Sequence, residues 1–143
     1  MRRGTTLLEL VVVLAIIGGI AALGAPLLHR SLDRGAVERA VADVSVAHRT
    51  ARALAVHRGS RVALRVSAES LAIVVLSSGA EVFWQRRAGP ASRGVALEVS
   101  RAEVAFGPSG LGWGAANTTI RLSRGKAQAV LVASRLGRLR RIE

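Results

Sequence analysis

The sequence predicts an α+β protein, in which one long N-terminal helix precedes a head built on an antiparallel β-sheet. Two patterns carry this prediction. Up to about Arg58 the apolar residues recur mostly every three or four positions, as they do on one face of a helix. After Gly59 the period falls to two, and short turns separate the apolar runs, as in strands joined by hairpins. We therefore expect a helix over about 5–58 and a sheet over 59–143.

The predicted helix has two halves of different character. No residue from 10 to 28 is charged, and the 22 residues of 7–28 would form a helix about 33 Å long. That length spans a bilayer, so the half 5–28 is predicted to be transmembrane. The half 29–58 is amphipathic, and we expect its apolar stripe to pack on the sheet. The stripe consists of Leu28, Leu32, Val37, Ala40, Val41, Val44, Ala47, Ala51, Leu54 and Ala55.

Turn signals divide the rest of the chain into short strands. Examples are Ser78-Gly79, Arg124-Gly125 and Leu136-Gly137. Because the connections are short, we expect neighbouring strands to be antiparallel. The predicted strands are Arg61–Val66, Leu71–Ser77, Glu81–Arg86, Val95–Val99, Glu103–Phe106, Thr118–Ser123, Ala127–Ala133 and Arg138–Ile142.

The reactive residues form no pattern that an enzyme would need. There are no cysteines, which excludes disulfides, thiol chemistry and cysteine-bound metals. All three histidines, His29, His48 and His57, fall on the predicted helix at spacings unsuited to a metal pair, and we expect them to be solvated. The glycine-rich segment 107–114 lacks the Lys-Ser/Thr of a phosphate loop and is interpreted as a surface loop. We predict a protein without catalytic activity, metal or cofactor.

The N-terminus allows three interpretations. It is a signal peptide cut near 22–24, a plain membrane anchor, or a segment cut after Gly4 on the cytoplasmic side and then kept in the membrane. Only the third explains Glu9, a carboxylate at the edge of the uncharged run. A cut after Gly4 would free the amine of Thr5 one helical turn before Glu9. A carboxylate in hydrocarbon is costly unless paired, and pairing with a neighbouring subunit would favour one axial register in an assembly.

The same residues resemble a known family. Gly4 after a basic residue, the segment 6–10, the aliphatic run and Pro26 closely resemble the N-terminus of type IV pilins and type II secretion pseudopilins. The resemblance implies that a prepilin peptidase cleaves after Gly4 and methylates Thr5, and that Glu9 aids assembly into a helical filament. The family most often has phenylalanine or methionine where this chain has Thr5.

The C-terminal half is similar to the minor pseudopilin group called GspH/FimT. The similarity lies in segments 106–110, 120–123, 130–133 and 137–140, which are hairpin glycines and alternating aliphatic residues. It implies a globular antiparallel head packed on the outer half of the helix, without catalysis or cofactor. The resulting domain assignment is a prepilin leader at 1–4, a transmembrane and assembly half at 5–28, an exported amphipathic half at 29–58 and a β head at 59–143.

The resemblance implies a structural role as a minor subunit of a periplasmic filament for type II protein secretion. The protein would cross the bacterial inner membrane once, with its N-terminus cytoplasmic before assembly and its head in the periplasm. Its partners would be other pilin-like subunits, the inner-membrane assembly platform and the prepilin peptidase. The alternative is a type IV pilus minor pilin that binds DNA non-specifically, since residues from 29 onward include 19 basic and 8 acidic side chains. The candidate DNA-binding residues are Arg135, Arg138, Arg140 and Arg141.

Overall fold

A long helix opens the described part of the chain. The computed structural model describes residues 6–77, 80–114 and 117–142, and for 21–26 it describes the backbone only. Helix α1 covers Leu7–Arg58, which confirms the long helix predicted from the apolar spacing. Gly59 follows its last turn in a left-handed conformation, with φ of 57°, as the sequence predicts for the end of a helix.

The chain divides into two compact units, and the first is Met1–Leu32. In this unit the side chains of 6–20 and 27–32 are exposed, and most of them are large and aliphatic. Across the described residues, the structure contains no helix that is both apolar enough and long enough to cross a membrane.

The second unit, Asp33–Glu143, is the β head together with the outer part of α1. Its described residues form nine strands in two antiparallel sheets, where the sequence suggested one sheet. The first sheet has the order β3-β2-β1-β5-β6 and the second has the order β4-β7-β8-β9. The strands are β1 Arg61–Val66, β2 Ser70–Ser77, β3 Ala80–Ala88, β4 Ala96–Val99, β5 Glu103–Phe106, β6 Gly112–Trp113, β7 Thr118–Arg124, β8 Ala127–Ala133 and β9 Leu139–Ile142.

A short 3₁₀ turn at Pro90–Arg93 explains how the chain leaves the first sheet. It follows β3 and ends at Gly94, whose φ of 65° favours glycine and redirects the backbone towards β4 in the second sheet. The dipeptide Gly89-Pro90 predicts a turn at this place but not its 3₁₀ form, and β6, which is only two residues long, was not predicted. The eight predicted strands are all present: Arg61–Val66, Glu103–Phe106 and Ala127–Ala133 have the predicted bounds, and the other five have shifted ends.

The core lies between α1 and the two sheets. Within the described head, Val37, Val44 and Ala51 on α1 are almost fully buried against alternate residues of the strands, and Phe106 of β5 is completely buried among them. The stripe predicted from the sequence is therefore confirmed from position 37 to 55, with Val41 only partly buried. Its first two members, Leu28 and Leu32, are exposed, so the packed part of the helix begins at Ala36 and not at residue 29.

Candidate assembly site and basic surface

The first turn of α1 contains the residue that the sequence marks for assembly. Glu9 is exposed, and its backbone N–H donates a hydrogen bond to Oγ1 of Thr6 at 3.3 Å. The N–H of Leu10 donates to the carbonyl of Thr6 at 3.2 Å, so Thr6 occupies the N-cap position of the helix. The predicted cleavage and methylation residues, Gly4 and Thr5, lie outside the described residues.

Thr6 and Glu9 together form the pattern of a capping box, which is Thr-x-x-Glu at the start of a helix. A carboxylate in the first turn also interacts favourably with the partial positive charge of a helix N-terminus. Thr6 therefore caps the helix, and Glu9 places a carboxylate in its first turn. This cap was not predicted, although the spacing of Thr6 and Glu9 is visible in the sequence.

Three ion pairs join the outer part of α1 to the head. In each, a carboxylate of the helix meets an arginine from a different element: β7, β9 or the 3₁₀ turn. The pairs are Asp33–Arg124, Glu38–Arg141 and Asp43–Arg93, with nitrogen–oxygen distances of 2.9, 2.8 and 2.9 Å. Part of the arginine excess therefore holds the helix in place on the sheets.

Three of the four candidate DNA-binding arginines, Arg138, Arg140 and Arg141, line one cleft beside α1, and Arg135 is not among the lining residues. Arg141 donates from both Nη atoms to the Glu38 carboxylate, each at 2.8 Å, and this contact lowers the pKa of Glu38. Arg141 lies opposite the buried Leu131 in the β8–β9 ladder, so its side chain is on the face of the sheet that meets α1. Arg135, Arg138 and Arg140 are exposed, and none has a side-chain partner within the described residues.

A cleft of about 600 Å³ lies between α1 and the segment that contains β9. From the helix, Ser45, His48, Arg49 and Arg52 line it. Arg52 is held rigidly, because its Nε–H donates to the Gly110 carbonyl at 2.9 Å.

His48 contradicts the expectation that the helix histidines are solvated. It is 3% exposed, and its ring meets that of Phe106 edge to face at a centroid distance of 5.0 Å. Its Nε2 is buried without a hydrogen-bond partner among the described residues. Burial lowers the pKa of His48 to about 4, and the charges of Arg52 and Arg49 act in the same direction.

The fold that these elements define is that of pilin-like subunits: a long N-terminal helix whose outer part packs on an antiparallel head. The chain is similar to the type IV minor pilin FimU of Pseudomonas aeruginosa, with a TM-score of 0.64 and 18% identity over 75% of this chain and 88% of that one. A second crystal form of FimU gives a TM-score of 0.61 and 17% identity, over 74% of this chain and 92% of that one.

The chain is also similar to the minor pseudopilin EpsH from the Type 2 Secretion System of Vibrio cholerae. The TM-score is 0.54, and the identity is 17% over 71% of this chain and 94% of that one. No family model and no curated protein matches the chain. The comparisons with solved structures establish the minor-pilin and minor-pseudopilin fold.

Proposed function

We propose that the protein is a minor pilin-like subunit, which contributes to a periplasmic filament as a structural component and not as a catalyst. The observation that carries the proposal is the helix surface at 7–20. It exposes a continuous set of large aliphatic side chains with one carboxylate, Glu9, in its first turn. Large exposed apolar patches mark sites of interaction with proteins or membranes, so this surface is expected to be buried against one of them.

We propose that this aliphatic surface contacts the inner membrane before assembly and neighbouring subunits afterwards. The uncharged run 10–28 supports this assignment. In the proposed sequence of events, prepilin peptidase removes 1–4, methylates the amine of Thr5 and leaves Glu9 one turn away from that amine. Glu9 then meets an amine in the assembled filament. The assembly platform and other pilin-like subunits are the proposed partners.

A pair of substitutions at Glu9 tests this role. Glu9→Leu removes both the charge and the capping-box side chain, whereas Glu9→Gln removes the charge and keeps a residue that serves in a capping box. If the charge fixes the register, both variants should be processed normally and should fail to co-purify with partner subunits. Assembly of Glu9→Gln at the wild-type level would show that capping alone matters, and the register role would be lost.

The mature N-terminus is the second test. Mass spectrometry of the protein from its native host should find a chain that starts at methylated Thr5. A chain that starts near residue 25 would mean that a signal peptidase had removed the assembly segment, and the proposed function would fail.

Type II protein secretion is the machine that we propose, with the type IV pilus as the alternative. Both FimU and EpsH support a filament subunit, and the two machines differ in partners and not in this fold. Co-purification with secretion-system pseudopilins from the native host would support the first assignment. Co-purification with a major pilin would support the alternative.

Non-specific DNA binding is the second candidate function. The supporting observation is the exposed, unpartnered state of Arg135, Arg138 and Arg140 among the described residues. Binding to phosphates should fall steeply between about 50 and 200 mM salt, and Arg138→Ala with Arg140→Ala should weaken it. Unchanged binding by this double variant would exclude the site.

A substitution at Glu38 tests whether Arg141, the fourth candidate arginine, contributes to DNA binding. Glu38→Gln breaks the ion pair with Arg141, so DNA affinity should rise if Arg141 can reach phosphate. Glu69→Gln is the matched control, because Glu69 is exposed and the change in net charge is the same. An equal rise in both variants would indicate a general charge effect and would remove Arg141 from the site.

A further inference from the structure

The cleft between α1 and β9 combines features that the filament role leaves unused. Its wall on the helix side carries two guanidinium groups, those of Arg49 and Arg52. Its other wall is β9, which has one strand neighbour, β8, among the described strands. The cleft thus joins positive charge to an open strand edge, whose backbone N–H and C=O groups can pair with another chain.

Arg52 is positioned before any ligand arrives. Its Nε–H bond to Gly110 holds the guanidinium by one side, and among the described residues no partner occupies its Nη atoms. The same carbonyl lies against Gly137, where a Cβ atom would collide with it and would press on Nε of Arg52. The close approach of Gly110 and Gly137 therefore builds the end of the cleft around Arg52.

Arg49 is exposed on the same face of the helix, one residue after the buried His48. No side-chain partner of Arg49 is found in the described part of the chain. Guanidinium groups bind carboxylates and phosphates through paired hydrogen bonds. The contact between Arg141 and Glu38, at the margin of this cleft, already shows a carboxylate held in that way.

We propose that this cleft binds an extended acidic segment of a partner protein, with its carboxylates on Arg49 and Arg52 and its backbone paired with the edge of β9. Strand addition of this kind takes its affinity from main-chain hydrogen bonds and its specificity from alternate side chains. A volume of about 600 Å³ accommodates a few side chains, whereas a nucleic acid duplex would contact only the rim. No Phe, Tyr or Trp occurs among the described lining residues to stack a base.

This inference rests on the proposed filament role in one respect only: that role is the reason to expect a protein as the partner. Binding of a peptide can therefore be measured whether or not the N-terminus is processed and assembled. The probe is a fluorescein-labelled peptide in which glutamate alternates with valine, and its control has glutamine in place of glutamate. Anisotropy is measured with the full chain in detergent micelles.

Arg49→Ala should weaken binding of the glutamate peptide by about tenfold or more, the usual effect of losing a charge-assisted hydrogen bond. Arg87→Ala is the matched control, because Arg87 is exposed on β3 in the first sheet and the same charge is lost. It should leave the affinity within about twofold of wild type. The glutamine peptide should bind wild type at least about tenfold more weakly.

A site-specific signal completes the test. In NMR spectra the ring protons of His48 and the amides of β9 should shift as the glutamate peptide is added, while the exposed His57 should not respond. Equal losses in Arg49→Ala and Arg87→Ala, or shifts that avoid His48 and β9, would overturn the proposal. Tighter binding of a DNA duplex with the same dependence on Arg49 would also overturn it, because the ligand class would then be nucleic acid.

Discussion

Acidification should destabilise the head through His48. Its pKa falls from an ordinary 6.5 to about 4 in the folded protein, because the buried ring cannot be solvated when charged. Between these two pH values, the unfolded chain therefore binds a proton at His48 more readily than the folded protein does. Stability is complete above the unfolded pKa and is lost as pH falls from 6.5 towards 4. The full effect is roughly 3 kcal/mol, and about 2 kcal/mol of it should be lost between pH 7.5 and 5.

The groups around His48 add no compensating negative charge. Arg49 and Arg52 lie beside it on α1, and the β9 side of the cleft contributes further arginines, one of which is neutralised by Glu38. The lowered pKa of Glu38 adds its own acid sensitivity, since that contribution to stability is complete above the ordinary pKa of 4.5 and is lost below it. Measurements between pH 7.5 and 5 therefore isolate the histidine.

The assay is urea unfolding of the full chain in detergent micelles, followed by circular dichroism across this pH range. His48→Gln should flatten the pH dependence of the free energy of unfolding, whatever its effect on absolute stability. The control is His57→Gln, at an exposed histidine of the same helix, which should keep the wild-type slope. If His48→Gln keeps a loss of about 2 kcal/mol, another group causes it and the assignment to His48 is wrong.

Two further predictions concern how the head is held together. Gly137→Ala should destabilise more than Gly114→Ala by about 1–3 kcal/mol in the same assay. Both glycines have positive φ, but a Cβ would strike the Gly110 carbonyl only at Gly137, whereas Gly114 has open space. Equal losses would show that the close approach is unimportant. A double-mutant cycle on Asp43 and Arg93 should give a coupling of about 0.2–1 kcal/mol that shrinks at about 1 M salt, and a coupling insensitive to salt would contradict an ion pair.

The fold was largely predictable because its signals are local. The change of apolar period at Gly59 marks the end of α1, and alternation finds the long strands of both sheets. The division into two sheets was not predictable in this way. Alternation of apolar residues indicates which side chains share a face of a strand, but it does not indicate which strands are neighbours. The turn at Pro90–Arg93 that separates the sheets was visible only as a glycine and a proline.

The sites also differ in whether their signals are local in the sequence. Glu9 stands out from the sequence because one charge borders an uncharged run, and the Thr6 cap beside it follows from spacing alone. The cleft could not be predicted in this way, because Arg52 meets Gly110 and Gly137 only after the loops fold back on the helix. His48 was assigned to solvent because the histidine spacing fits no metal pair, although Val44, Ala47 and Ala51 of the apolar stripe lie beside it on the helix. Its contact with the buried Phe106 shows that it belongs to the core.

The arginine excess has a structural consequence beyond net charge. In the described head, six carboxylates take part in ion pairs, and Arg65 alone binds two of them, on Glu81 and Glu103. The internal supply of carboxylates is thus nearly used up, while Arg49, Arg138 and Arg140 have no side-chain partner among the described residues. Five arginines line the cleft beside β9, and Glu38 pairs with one of them, so the like charges of the other four lie close together there. The cleft is therefore where an external carboxylate gains most, and an acidic partner segment would complete the charge balance that the chain itself leaves open.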